Sequence, residues 1–183
     1  MQHAVTIGIN TQMKGKQKMK HLLTLTLCCA ALFLGAAEKN LLPAQLSAFG
    51  QKNANAETIF QKNGQIDCSI KNAADKKTAN AGAVTRIQFP KPVTGTFVFG
   101  AESKAEKVNG TASCNYCVYM DIVFADNTFL YGRQAIFKTG THDWEKATAT
   151  VTVTKPIKQI KFYLLFRNVS GKASFRAPFL YKK

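Results

Sequence analysis

From Ala147 to Thr154 the sequence alternates without a break, with Ala147, Ala149, Val151 and Val153 on one side and Thr148, Thr150, Thr152 and Thr154 on the other. A period of two is what a strand requires when one face meets a core and the other meets water, because successive side chains point to opposite sides. A helix is excluded here, since a 3.6-residue repeat would scatter the threonines around its axis. Gln159 to Arg167 repeats the arrangement: Ile160, Phe162, Leu164 and Phe166 share one face, and Lys161, Tyr163, Leu165 and Arg167 the other. Similar patterning predicts strands over Gln65 to Lys71, Ala83 to Phe89, Gly95 to Lys104, Tyr116 to Ala125, Phe129 to Phe137 and Lys172 to Leu180. Turn signals separate them: Asn63-Gly64, Pro90-Lys91-Pro92, Asn109-Gly110, Asp126-Asn127, Thr139-Gly140, Lys155-Pro156 and Ser170-Gly171. Many short strands with regular turn punctuation predict an all-β, two-sheet antiparallel β-sandwich rather than an α/β fold. No internal repeat or linker divides residues 38–183, which read as a single domain of 146 residues, large enough to bury a core without staples.

The first 37 residues read differently. Lys14, Lys16, Lys18 and Lys20 precede an apolar run from Leu22 to Leu34 that ends in Gly35, Ala36 and Ala37. A positive segment, a short apolar stretch and a small-x-small site make the pattern of a secretory signal peptide, cleaved near Ala37. The run is too short for a transmembrane helix, which needs about 20 apolar residues, and no other segment is long enough. Residues 1–12 do not resemble such a leader, and Met13 and Met19 are alternative starts; Ala54-Asn55-Ala56 is a more distant small-x-small site. Cys28 and Cys29 fall inside the apolar run, but Leu27 and Cys28 precede them, where a lipid-attachment site wants a small residue. The expected location is therefore the exterior, periplasm or surface of a bacterial cell.

Composition then narrows the chemistry. Removing the four leader lysines from 25 basic residues leaves 21 against 10 acidic ones, a formal charge of +11 on residues 38–183. His142 is the one histidine in that stretch, so no site needing two imidazoles can form. Phosphate-binding, dinucleotide-binding, nucleophile-elbow and zinc-protease motifs are all missing. Carboxylate pairs for glycoside hydrolysis stay formally open among Glu102, Glu106, Asp121, Asp126, Asp143 and Glu145. The balance predicts a protein that is not an enzyme, with His142 a turn residue hydrogen-bonded locally.

Cys114-Asn115-Tyr116-Cys117 has the CxxC spacing used in redox and zinc sites. Zinc would need further ligands, and only Cys68 and His142 are left to supply them, while a redox CxxC opens a helix, whereas this one enters a strand. A structural role remains for Cys68, Cys114 and Cys117: one bridge from Cys68 to a member of the pair, or buried thiols.

Several segments occur together in order: Asn40-Leu41-Leu42-Pro43, Ser103-Lys104-Ala105-Glu106, Tyr119-Met120-Asp121, Asp126-Asn127-Thr128, Phe137-Lys138-Thr139-Gly140-Thr141-His142-Asp143-Trp144, Lys155-Pro156-Ile157-Lys158, Tyr163-Leu164-Leu165-Phe166-Arg167 and Ser170-Gly171-Lys172-Ala173-Ser174-Phe175. Over residues 40–181 the chain resembles the carbohydrate-binding-module-like domains of the galactose-binding jelly-roll superfamily, accessory modules of secreted bacterial glycosidases and surface proteins. The resemblance implies a jelly roll, galactose-binding-domain-like, that recognises glycans without catalysis, through a sheet face or loop tips. Such domains commonly hold a structural calcium through acidic residues near the early aromatic and in the last strand. Here those positions read Phe49-Gly50 and Phe175-Arg176-Ala177-Pro178, and calcium needs oxygen ligands, so no cofactor or metal is expected.

Sugars present apolar CH faces to flat aromatics and hydroxyls to planar polar groups. Tyr119, Tyr131, Tyr163 and Trp144 are the stacking candidates, with Asp121, Asp126, Arg133, Gln134 and Arg167 for hydrogen bonds. Tyr119, Asp121, Tyr131 and Arg133 fall on or beside strands that line an exposed face. Trp144 lies in the framework block, which makes it a core anchor, with a sugar platform the alternative. Arg167 has an ion pair with Asp121 or Glu102 as its structural alternative. The charge predicts a second class of partner, a polyanion such as sulfated glycan or lipopolysaccharide, or another protein. The lysines are dispersed rather than arranged as a basic stripe with interleaved aromatics, so nucleic acid is not expected as the partner.

Overall fold

A computed structural model describes residues 38–183. Among these residues the chain forms eight strands and no helix: β1 (Ser47–Ala48), β2 (Ala56–Phe60), β3 (Ile66–Ile70), β4 (Asn80–Val108), β5 (Tyr116–Phe124), β6 (Phe129–Ile136), β7 (Gly140–Arg167) and β8 (Gly171–Lys182). The expected signal peptide, with its cleavage near Ala37 and alternative starts at Met13 and Met19, lies outside the described residues.

Two strands organise the rest. β4 has 29 residues and β7 has 28, far beyond the usual ~3 to 10, because each serves both layers of the sandwich. The first half of β4 pairs antiparallel with the last part of β7, from Asn80 opposite Arg167 to Gln88 opposite Gln159. Its second half pairs with the first part of β7, from Gly95 opposite Val153 to Ser103 opposite Glu145. The register slips between Gln88, Val93 and Gly95, with Pro90 and Pro92 in the first gap on β4 and Pro156 in the second on β7. Proline has no N–H to give a ladder, so it settles where pairing lapses and the strand can bend. The sequence reading places chain breaks at these prolines; they are bends inside continuous strands. Ala83 to Phe89 and Gly95 to Lys104 are accordingly two parts of β4, and Ala147 to Thr154 and Gln159 to Arg167 two parts of β7.

One layer therefore comprises β1, the first half of β4, the end of β7, β5 and β6. The other comprises the start of β7, the second half of β4, β8, β3 and β2. Every pairing is antiparallel. The alternation behaves as the sequence predicts: Ile160, Phe162, Leu164 and Phe166 are fully buried, and Thr148, Thr150, Thr152 and Thr154 face water. Phe97, Phe99, Phe175 and Leu180 fill the core from the second layer. Fully burying each such side chain stabilises the fold by roughly 1.5–3 kcal/mol before ordering costs.

The core has one polar insertion. Ser103 is fully buried, its hydroxyl 2.6 Å from the Tyr116 hydroxyl and donating to the Ser174 carbonyl at 2.8 Å.

All three described cysteines are free thiols. Cys68 lies on the core side of β3 in one layer, whereas Cys117 has the opposite parity to the core residues Tyr116 and Val118 of β5 in the other. The expected bridge from Cys68 to the CxxC pair is not formed, and Cys68 and Cys117 are buried thiols. Burial pushes each of them up to about 12. His142 sits with its ring nitrogens 2.8 Å from the Asp143 carbonyl oxygen and 3.0 Å from that of Lys138.

Candidate ligand-binding face

The outer surface of the first layer is shaped by residues of odd number on β5 and β7. Tyr119 stands directly opposite Tyr163 and Asp121 opposite Lys161, so a one-residue register slip would bury all four and expose Met120 and Phe162 instead. Phe49, Tyr119, Asp121, Tyr163, Leu165 and Arg167 surround a shallow cavity of about 150 Å3 on this surface. The Tyr119 and Tyr163 rings meet edge to face with centroids 5.9 Å apart, and Phe49 meets Tyr163 in the same way at 5.7 Å.

Phe49 reaches Tyr163 through a backbone device. Its N–H donates to the Gly82 carbonyl at 2.8 Å, and Gly82 has φ +132, where a Cβ would stand 2.0 Å from the Leu164 carbonyl oxygen. A side chain at position 82 is therefore incompatible with this approach of β4 to β7.

Charge enters from two sides. Arg167 holds its guanidinium carbon 5.9 Å from the Tyr119 ring centre. Its Nε is sealed from water with no hydrogen-bond partner. Asp121 accepts a hydrogen bond from the Gly132 N–H at 3.2 Å. Gly132, at φ +75, lies in a bulge of β6 where the register shifts opposite Met120 to Ile122. Burial and then the Asp121 charge push the Tyr119 hydroxyl above its ordinary value, and the Tyr163 hydroxyl is raised for the same two reasons. Both phenols therefore stay protonated at neutral pH and can donate to a ligand.

The sequence-derived candidates divide. Tyr119, Asp121 and Arg167 converge on the cavity with Tyr163. Tyr131 and Arg133 lie on the neighbouring strand β6: Tyr131 is 59% exposed and stacks flat on Phe129 with centroids 5.2 Å apart and planes 4° apart, and Arg133 donates to its carbonyl at 3.1 Å. Trp144 is elsewhere. It shares the parity of Thr148 and Thr150, the water side of β7, and lies half-buried in the other layer rather than in the core. The framework position thus marks a strand turning toward solvent, which corrects the reading of Trp144 as a core anchor. Arg167 takes neither expected ion pair, and Glu102 is bound instead by Arg176 Nε at 2.6 Å.

The residues that sequence reasoning passes over are Phe49 and Leu165. Leu165 shares the parity of Tyr163 and Arg167, which is a legible signal. Phe49 arrives through the β1 to β4 pairing, which leaves no pattern in a two-residue strand. Among the described residues no group of three or more His, Cys, Asp or Glu side chains comes together to hold a metal ion.

Two antiparallel layers sharing two bent strands define an antiparallel β-sandwich. A similar fold occurs in part of the structure of the Clostridium thermocellum N-terminal endo-1,4-beta-D-xylanase 10B CBM22-1–GH10 modules, solved with xylohexaose: TM-score 0.50, 12% identity, 80% of this chain and 27% of that one. A CBM4 structure matches with TM-score 0.44 and 14% identity over 70% of this chain and 78% of that one. In sequence, the tRNA nuclease WapA of Bacillus subtilis strain 168 is 29% identical over 146 residues, or 73% of this chain and 6% of that protein. The tRNA(Glu)-specific nuclease WapA of Bacillus subtilis subsp. natto matches to the same extent. The chain spans about 6% of the length of the curated relatives it matches. No family model matches it.

Proposed function

We propose that this protein is a secreted, non-catalytic module that binds glycan on the Tyr119–Tyr163 face and carries no metal. One observation carries the reading: three edge-to-face aromatics, two protonated phenols, a carboxylate and an arginine converge on one open cavity. Flat rings accept the CH faces of a pyranose, Asp121 accepts from its hydroxyls, and Arg167 donates to them. The leader pattern of Lys14 to Ala37 supports secretion, and the exterior is where polysaccharide is met. The small share of WapA that the chain matches supports an accessory-module role, since a segment of that size within a long protein reads as one part among many. Among the described residues no helix is long and apolar enough to cross a membrane.

The +11 charge supports a second reading, a polyanion held at the surface. Salt separates the two, because ion-dominated binding collapses as the Debye length shortens, from about 10 Å at 0.1 M to about 3 Å at 1 M salt. A glycan array probed at low and high salt should show salt-resistant binding that Tyr119→Ala and Tyr163→Ala abolish, while Thr150→Ala on the other layer leaves it intact. Binding confined to heparin, lipopolysaccharide or tRNA and lost at high salt would replace the first reading with the second.

A further inference from the structure

A groove of about 760 Å3 lies apart from the Tyr119 face, within the ~300–1,000 Å3 range of ligand sites. Leu42 and Leu46 of the chain preceding β1 form one side, Phe60, Gln61 and Gln65 around the β2 to β3 turn the other, and Arg176 and Pro178 of β8 contribute the floor. The first side is tied to β8. The Leu41 N–H donates to the Leu180 carbonyl at 2.8 Å, the Asn40 amide donates to the Pro178 carbonyl at 3.1 Å, and the Leu180 N–H donates to the Asn40 amide oxygen at 3.0 Å.

The polar groups are held in one orientation. Gln61 and Gln65 each donate through Nε2 to the Asp67 carboxylate at 2.7 Å. Each amide therefore presents its Oε1 away from Asp67, as an acceptor on the groove wall. Arg176 is fixed from two sides, its Nε on Glu102 and its guanidinium carbon 3.9 Å from the Trp144 ring centre. Its terminal nitrogens are left as donors. The floor bends at a bulge where Ala177 takes φ +46, a left-handed conformation that costs a non-glycine residue of order 1 kcal/mol or more and is common where a backbone is shaped around a ligand. Arg176 already has Glu102 as its ion partner at 2.6 Å, which leaves its terminal nitrogens to neutral acceptors rather than to an anion.

We propose that this groove is a second carbohydrate site, independent of the Tyr119 face, that takes an uncharged saccharide chain. The apolar surfaces of Leu42, Leu46, Phe60 and Pro178 meet CH faces, the two glutamine oxygens accept from hydroxyls, and Arg176 donates to them.

Trp144 is the single tryptophan of the chain, and through Arg176 it reports on the groove, whereas the Tyr119 face holds none. The full chain is titrated with three neutral probes, the β-1,4-linked hexasaccharides of glucose, xylose and galactose, at millimolar concentration. Backbone amide NMR shifts and tryptophan emission are the readouts. With at least one sugar, the amides of residues 60–66 and the Trp144 emission should respond, and the response should be indifferent to salt. Phe60→Ala, at a site already 45% exposed and so safe for folding, should weaken the response at least ~tenfold, and Gln61→Ala should also weaken it. Tyr119→Ala should leave it unchanged, so a failed Tyr119 face and a failed groove give different results. Shifts confined to Phe49, Tyr119 and Tyr163, silence of residues 60–66 and the indole with all three sugars, or an unaffected Phe60→Ala variant would each overturn the proposal.

Discussion

Arg167 keeps its guanidinium carbon 5.9 Å from the centre of the Tyr119 ring while its Nε is shut from water and joined to no acceptor. The ring contact contributes about 0.5–1 kcal/mol, and the unsatisfied donor costs about 1–3 kcal/mol. On balance the side chain burdens the free protein. Arg167→Met should therefore raise stability by about 1 kcal/mol and weaken glycan binding roughly tenfold. Thermal unfolding and calorimetric titration of the same variant check both signs.

Gly82→Ala should be severe. The added carbon meets the Leu164 carbonyl oxygen at 2.0 Å in a backbone at φ +132, so β4 or β7 must shift and the support for Phe49 shifts with it. A loss of about 3–5 kcal/mol is expected, read from urea midpoints, with binding at the Tyr119 face weakened in whatever fraction remains folded.

The buried Ser103 and Tyr116 pair should respond unequally. Tyr116→Phe leaves Ser103 its bond to the Ser174 carbonyl and should cost about 1 kcal/mol, whereas Ser103→Ala strands the Tyr116 hydroxyl and should cost about 2 kcal/mol. The double variant should cost less than the sum, because the two share one interaction.

Cysteine labelling should be selective. With Cys68 and Cys117 pushed up to about 12 by burial, their thiolate fraction at pH 8 is about 10⁻⁴ against roughly a quarter for an ordinary thiol. Iodoacetamide at pH 8 should label the half-exposed Cys114 first, with Cys68 and Cys117 following only on unfolding, as peptide mapping by mass spectrometry will record. The same burial favours the neutral thiol in the folded state. This contribution is complete below about pH 8.5 and declines as pH rises toward the native value.

Acid should loosen the Asp67 network. Burial opposes ionisation there, but hydrogen bonds from Ser174, Gln65 and Gln61 outweigh it and hold the carboxyl below its ordinary value. The folded state thus favours the carboxylate, a stabilisation complete above about pH 4 and lost as pH falls through the lower native value. Urea midpoints measured between about pH 6 and pH 2 should fall more steeply for the native chain than for Asp67→Asn.

Periodicity made much of this architecture readable in advance. The Ala147 to Thr154 alternation and the Ile160 to Phe166 face specify which side of a strand meets the core, because burial follows a period of two whatever the strand's partner. That parity also places Tyr163, Leu165 and Arg167 on one surface. The prolines at 90, 92 and 156 were legible as punctuation, but whether a proline ends a strand or bends it depends on what lies across the ladder, and the strand across from it is about 70 residues away along the chain.

The site shows the same division. The residue types that suit a sugar, Tyr119, Asp121 and Arg167, stand in the sequence, and the alternation on β5 and β7 turns them outward. Their meeting with Phe49, the separation of Trp144 onto the other layer, and the groove between Leu42 and Gln65 were decided by the fold alone. Local patterning determines the direction in which a side chain points, because that is a property of a strand and its neighbours in sequence. Which side chains then share a surface is set by strand order and register over long separations, such as β1 on β4, β5 on β7 and β8 between β3 and β4. No local pattern encodes those choices, which follow from the free energy of closing the whole core.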